Sequence, residues 1–147
     1  MNILITGSNG QLGSEIRELS VFYKEVNFIF KGLPDLDICN LDELQSFIIK
    51  NNVTAVINCA AYTSVDKAEE DNQIAKKVNE EGVSNIVRSL QKVDGKLIHI
   101  STDYVFNGNH FLPYKESDSV SPIGVYGKTK RAGELAVLNS DIDSIVI

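Results

Sequence analysis

Tyr126 is the only one of the five tyrosines with a lysine four residues later, Lys130. On a helix the two side chains share a face. A free phenol, with a pKa of about 10, is a poor acid–base group at neutral pH; a neighbouring ammonium favours the phenolate and brings proton transfer to a carbonyl oxygen within reach. Ser101-Thr102 adds a hydroxyl able to hydrogen-bond that same carbonyl. Far upstream runs Thr6-Gly7-Ser8-Asn9-Gly10-Gln11-Leu12-Gly13, a spacing that suits a dinucleotide pyrophosphate when it follows a strand and opens a helix. Gly7 permits the tight turn, Gly10 a close backbone approach to phosphate, and Gly13 close helix packing. A Tyr-x-x-x-Lys spacing also arises by chance, and a glycine turn also exists without a ligand. In this order, the set predicts nicotinamide-dependent carbonyl chemistry.

Alternating strands and helices must position these residues. Strands are expected at Ile3 to Thr6, Val26 to Lys31, Thr54 to Asn58, Lys96 to Ser101 and Ser144 to Ile147. Helices are expected from Gln11 to Tyr23, with Leu12, Ile16 and Leu19 on one face, and from Asn40, paired with Glu43 as a capping box, to Asn51. Further helices are expected from Gln73 to Lys92, carrying Ile74, Val78, Val83, Ile86, Val87 and Leu90 at helical spacing, and from Val125 to Leu138. This alternation without hairpin turns predicts the α/β class: a doubly wound parallel sheet with helices on both faces and ligands at the carboxyl ends of its strands. Gly7, Lys31, Ala60 and Thr102 sit at those ends. Asp103 to Gly124 is too long for an idle connection and is a candidate binding loop.

The 147 residues suit one domain, and 43% hydrophobic with 23% charged residues is ordinary for a globular chain. A net charge of −6 without a basic run argues against nucleic-acid partners. Cys39 and Cys59 have neither metal-ligand nor redox spacing and are expected reduced and largely buried. The acidic patch Asp66, Glu69, Glu70 and Asp71 has no histidine or regular ligand spacing, so no metal site is expected there. No stretch approaches the roughly 20 apolar residues that span a bilayer. Met1 to Ile5 lacks the positive leader of a signal peptide, so a cytoplasmic location is expected. His99, between Ile98 and Ile100, reads as a satisfied core histidine, and His110 as a solvent-facing loop residue. No Gly-x-Ser-x-Gly elbow supports a serine hydrolase.

Cofactor choice is read after the second strand. An acid there would favour the ribose hydroxyl of NAD(H). The strand instead ends in Lys31-Gly32, with Asp35 and Asp37 only beyond Pro34. A lysine can pair with a 2′-phosphate, which tilts the reading to NADP(H), although a strand-end lysine is commonly just solvated.

Longer strings carry a resemblance. Gly7 to Gly13, Leu36-Asp37-Ile38, Asn58 to Glu69, Val78-Asn79, Ser101-Thr102-Asp103-Tyr104-Val105-Phe106 and Ser121 to Lys130 resemble the extended short-chain dehydrogenase/reductases, within them the dTDP-4-dehydrorhamnose reductase family. The resemblance implies Thr102, Tyr126 and Lys130 as the catalytic set, with Tyr126 and Lys130 also touching the cofactor. It implies Asn9, Gly10, Gln11, Leu12, Asp37, Ile38, Ala60, Ala61, Tyr62 and Asn79 as further cofactor contacts, and Val65, Thr102, Asp103 and Tyr104 near the sugar. The implied reaction is reduction of dTDP-4-dehydro-L-rhamnose to dTDP-L-rhamnose, with a nucleotide sugar as partner. Gly124 stands where asparagine is frequent in that family. The match spans the first half of such chains, so residues 1–147 read as an NAD(P)-binding Rossmann domain without the C-terminal substrate domain, ending on the apolar strand Ser144 to Ile147. The alternative is a non-catalytic nucleotide-binding module, resembling the regulatory β subunit of methionine adenosyltransferase. Retention of Thr102, Tyr126 and Lys130 together favours the enzyme. Whether Mg²⁺ or a homodimer contact is used stays open.

Overall fold

The computed structural model describes residues 1–109 and 111–147, so the expectation for His110 lies outside the described residues. Short apolar runs form β1 (Asn2–Thr6), β2 (Asn27–Phe30), β3 (Ala55–Asn58), β4 (Lys96–His99) and β5 (Ser144–Val146). All pair in parallel, in the order β2-β1-β3-β4-β5. The chain leaves β1 in one direction and returns to its other side, so the order reverses between β1 and β3. In a doubly wound sheet that is where a crevice opens for a ligand.

Helices follow the strands: α1 (Gln11–Ser20), α2 (Leu41–Lys50), α3 (Val65–Glu70), α4 (Asn72–Lys76), α5 (Val83–Gln91) and α6 (Val125–Leu138). In register, Leu4 meets Val56 and Val56 meets Leu97. This row is buried with Leu44 and Ile48 of α2, Ile86 and Leu90 of α5, and Val137 of α6. Each such side chain contributes roughly 1.5–3 kcal/mol of burial. Phe30 points to the opposite face, where Arg17 of α1 lies 4.2 Å above its ring. Helices therefore flank both faces, as the alternation predicts. Asn40 caps α2 by accepting the Glu43 amide, and its own amide group donates to the Glu43 carboxylate at 3.1 Å.

Two helix expectations need correction. The first helix stops at Ser20, and residues through Tyr23 turn away with Phe22 and Tyr23 amides bonded three residues back. Its supposed apolar face is largely open, with Leu12 and Leu19 exposed, because α1 packs through Gly13 and the Arg17–Phe30 contact instead. The stretch from 73 to 92 is helical almost throughout, but not α-helical throughout. A π-helical turn, Lys77–Gly82, separates α4 from α5. The wider turn rotates the helix face, so Val83, Ile86, Val87 and Leu90 are buried while Ile74 is exposed.

Candidate active site

Two grooves open at the carboxyl ends of the strands. The first, about 950 Å³, is lined by the Gly7–Leu12 turn, the Gly32–Cys39 segment after β2, and Cys59 to Thr63 after β3. Gly7 has φ +59°, and a Cβ on it would stand 2.6 Å from the Ala60 backbone. The first and third loops thus touch through a position that only glycine can fill. Gly13 lies equally close to Ser8, which holds α1 against the turn. A side chain at Gly10 would meet only the Gly7 carbonyl, so the turn is open towards the groove, with the amides of the α1 N-terminus free for an anion. This cradle fits a dinucleotide pyrophosphate.

Of the expected cofactor contacts, Gly7, Asn9, Gly10, Gln11, Leu12, Asp37, Ile38, Ala60, Ala61 and Tyr62 line this groove. Gly13, Lys31, Tyr126 and Lys130 do not; the Lys31 ammonium sits 5.7 Å from the centre of the Phe47 ring. Asn79 does not either. It is buried on the π-helical turn, accepting from the Tyr62 amide at 2.8 Å and donating to the Tyr62 carbonyl and to Thr129 of α6. Asn79 therefore ties the groove's third loop to the helix that carries Tyr126. The cysteines are less buried than expected: both are half-buried on the groove wall, and burial pushes both thiols up to about 11.

The second groove, about 740 Å³, lies beyond β4 and includes Ser101, Thr102, Asp103, Arg131 and Glu134. Thr102 and Asp103 are thus in a different groove from the glycine turn. Thr102 Oγ1 accepts from the Tyr104 amide, and the Tyr104 ring meets the Tyr126 ring edge-on at 5.5 Å. Val65 lines neither groove; it packs with Ala68, Ala75 and Tyr62 around Tyr126. Tyr126 and Lys130 fall on one face of α6, as expected from their spacing. Lys130 is only 2% exposed, and its Nζ donates to the Ile100 carbonyl at the end of β4, at 2.5 Å. Burial pulls its pKa down to about 8, against the upward pull of the Glu134 carboxylate.

His99 is fully buried, but only half satisfied. Thr6 Oγ1 donates to Asn58 Oδ1, which also accepts from the Ala60 amide. The Asn58 amide is thereby oriented to donate to His99 Nδ1 at 3.0 Å, which leaves the proton on Nε2, an atom with no partner among the described residues. Burial first, then the Lys130 charge, pull this imidazole down to about 3. This hydrogen-bonded chain spans β1, β3 and β4 beneath the groove. Its signal in the sequence was polar Asn58 and His99 closing apolar strands. Glu69 and Glu134 were also missed as site-building residues. Glu69 reaches the first amide of α6, while Glu134, 6% exposed, accepts from Ser101 and pairs with Arg131 at 2.7 Å. Among the described residues no cluster of histidine, cysteine or acidic side chains could hold a metal ion, and no helix is long and apolar enough to cross a membrane.

The sheet order and the glycine-walled crevice at its reversal define a Rossmann-type α/β fold. A family model described as RmlD substrate binding domain matches residues 1–147. The chain belongs to that family. It is 39% identical over 145 residues to dTDP-4-dehydrorhamnose reductase of Aggregatibacter actinomycetemcomitans, covering 99% of this chain and 49% of the relative. Among solved structures, a dTDP-4-dehydrorhamnose reductase from Clostridium acetobutylicum matches with a TM-score of 0.94 and 42% identity, over 99% of this chain and 52% of that one. One from Bacillus anthracis, in complex with NADP, matches with a TM-score of 0.93 and 36% identity, over 99% and 51%. The chain spans about half the length of the relatives it matches.

Proposed function

We propose that this chain is the cofactor-binding portion of an NADP(H)-dependent reductase of a nucleotide-linked 4-keto sugar, dTDP-4-dehydro-L-rhamnose, acting in the cytoplasm. The observation that carries the reading is Lys130. An ammonium almost wholly buried under the end of β4, one helical turn from a tyrosine, is expensive to keep and has an evident use beside a reacting carbonyl. The substrate domain is, in this reading, the remainder of the full-length protein. The relatives' names and the NADP complex of the Bacillus anthracis protein support the substrate and the cofactor.

Nicotinamide, when bound, supplies the hydride. The chain's own residues do the rest. The Gly7–Gly13 turn and the α1 N-terminus hold the pyrophosphate, Asp37 and Ile38 flank the adenine, and Ala60, Ala61 and Tyr62 line the path towards the nicotinamide. Lys31, held near Phe47, does not line the groove, so the choice of NADP(H) over NAD(H) rests on the NADP complex of the Bacillus anthracis protein. Tyr126 gives its phenolic proton to the 4-keto oxygen, Lys130 holds the cofactor ribose and offsets the charge left on Tyr126, and Thr102 donates a hydrogen bond to the same oxygen. Asp103 and Tyr104 are the residues that would meet the sugar, while Val65 packs beside Tyr126 and supports that ring.

Tyr126→Phe in the full-length protein tests this. It keeps the ring contacts but removes the proton, so NADPH binding should persist within about threefold while sugar reduction falls by at least about 100-fold. Unchanged turnover removes Tyr126 from its role. A melting temperature unmoved by saturating NADPH or NADH removes the cofactor reading.

A further inference from the structure

We propose that Glu69 is a positioning residue for Tyr126, capping the first turn of α6 from a different helix; the inference rests on Tyr126 being the proton donor. The residue flanking α6 is Gly124, in extended backbone and with no side chain to accept the amides of the first turn. Glu69, the penultimate residue of α3, supplies the acceptor: its Oε1 receives the Val125 amide at 2.7 Å, across a separation of 56 residues. A carboxylate there also sits at the positive end of the helix. The same oxygen is 2.9 Å from where a Cβ on Gly124 would stand, so a side chain there would make the carboxylate shift.

Neighbouring contacts make this more than a surface bond. Ala68, immediately before Glu69, is fully buried in the small cluster that contains Tyr126, Val65 and Val125. The short helix α3 therefore grips α6 twice, once on the amide directly before Tyr126 and once in the apolar cluster around its ring. The Tyr104 ring bounds Tyr126 as well. The neighbouring Asp71 is engaged elsewhere, accepting from the Tyr62 hydroxyl at 3.3 Å. Loss of the carboxylate releases the first turn of α6, and the phenol moves relative to the carbonyl, where a misplacement of about 1 Å can cost on the order of 100-fold in rate.

The test uses Glu69→Ala and Glu69→Gln in the full chain, reading kcat, both KM values and the tyrosine ring NMR signals. Glu69→Ala should lower kcat about tenfold with KM for NADPH and sugar within about twofold, and should shift the Tyr126 ring signal. Glu69→Gln, whose carbonyl oxygen still accepts the Val125 amide, should recover most of the rate and the wild-type signal. A Tyr126 signal unmoved by Glu69→Ala overturns the proposal whatever the turnover, as does a Glu69→Ala kcat equal to wild type. A signal that moves in Glu69→Ala and returns in Glu69→Gln, in a protein that reduces no nucleotide-linked 4-keto sugar, upholds the positioning and sinks the reductase reading instead.

Discussion

Replacing Lys130 with methionine should change how stability responds to pH. The lysine's pKa falls from 10.5 to about 8 because burial strips water from the ammonium. That difference corresponds to about 3 kcal/mol against folding at about pH 7. Between the folded and unfolded values the unfolded chain holds more protons, so this contribution makes stability rise with pH across the window from 8 to 10.5. Below the folded value the full penalty applies; above the unfolded value it vanishes. Lys130→Met has no group to titrate there, so wild type should gain about 2 kcal/mol on the variant between about pH 7 and 9.5. At neutral pH the variant escapes the penalty but leaves the Ile100 carbonyl without its donor, a loss of about 1–3 kcal/mol. The two effects oppose, so the comparison rests on the slope and not on either absolute stability. Urea unfolding of both proteins across that range measures it, since other titrating groups cancel in the difference. The Lys130 side-chain NMR signal gives a second reading, with a midpoint well below the other lysines. Parallel stability curves, or a Lys130 midpoint among the ordinary lysines, would refute the reasoning.

Two further outcomes follow from buried geometry. Gly7→Ala puts a Cβ 2.6 Å from Ala60 at a φ of +59°, and should destabilise by about 3 kcal/mol and weaken NADPH binding; a melting curve within a degree of wild type would contradict it. His99, held down to about 3, should show its proton on Nε2 and stay neutral in ¹⁵N spectra to about pH 5. Because its folded value lies below the ordinary 6.5, its contribution to stability is lost as acidity increases below that ordinary value. An imidazolium signal at about pH 6 would show that His99 is not sealed as the structure places it.

Much of this protein was determined locally. Strand cores, the Asn40 cap and the glycine turn follow from side-chain periodicity and backbone sterics, which act over a few residues and are written in order along the chain. The long helix Val125–Leu138 appears with the expected ends, and with it the shared face of Tyr126 and Lys130. The strings from Asn58 to Glu69 and from Ser121 to Lys130 marked which segments build the site.

What tertiary structure decided were relations between segments far apart in sequence. No periodicity marks the π-helical turn that redirects Ile74 outward and buries Asn79, because helix width there answers to what α6 and the Tyr62 loop require. Nothing local distinguishes Glu69 from the acids around it; its role exists only once α3 and α6 pack. The same holds for Lys130 and His99. Their types were legible in the chain, but the desolvation that sets their protonation arises only where a helix closes over the end of a sheet.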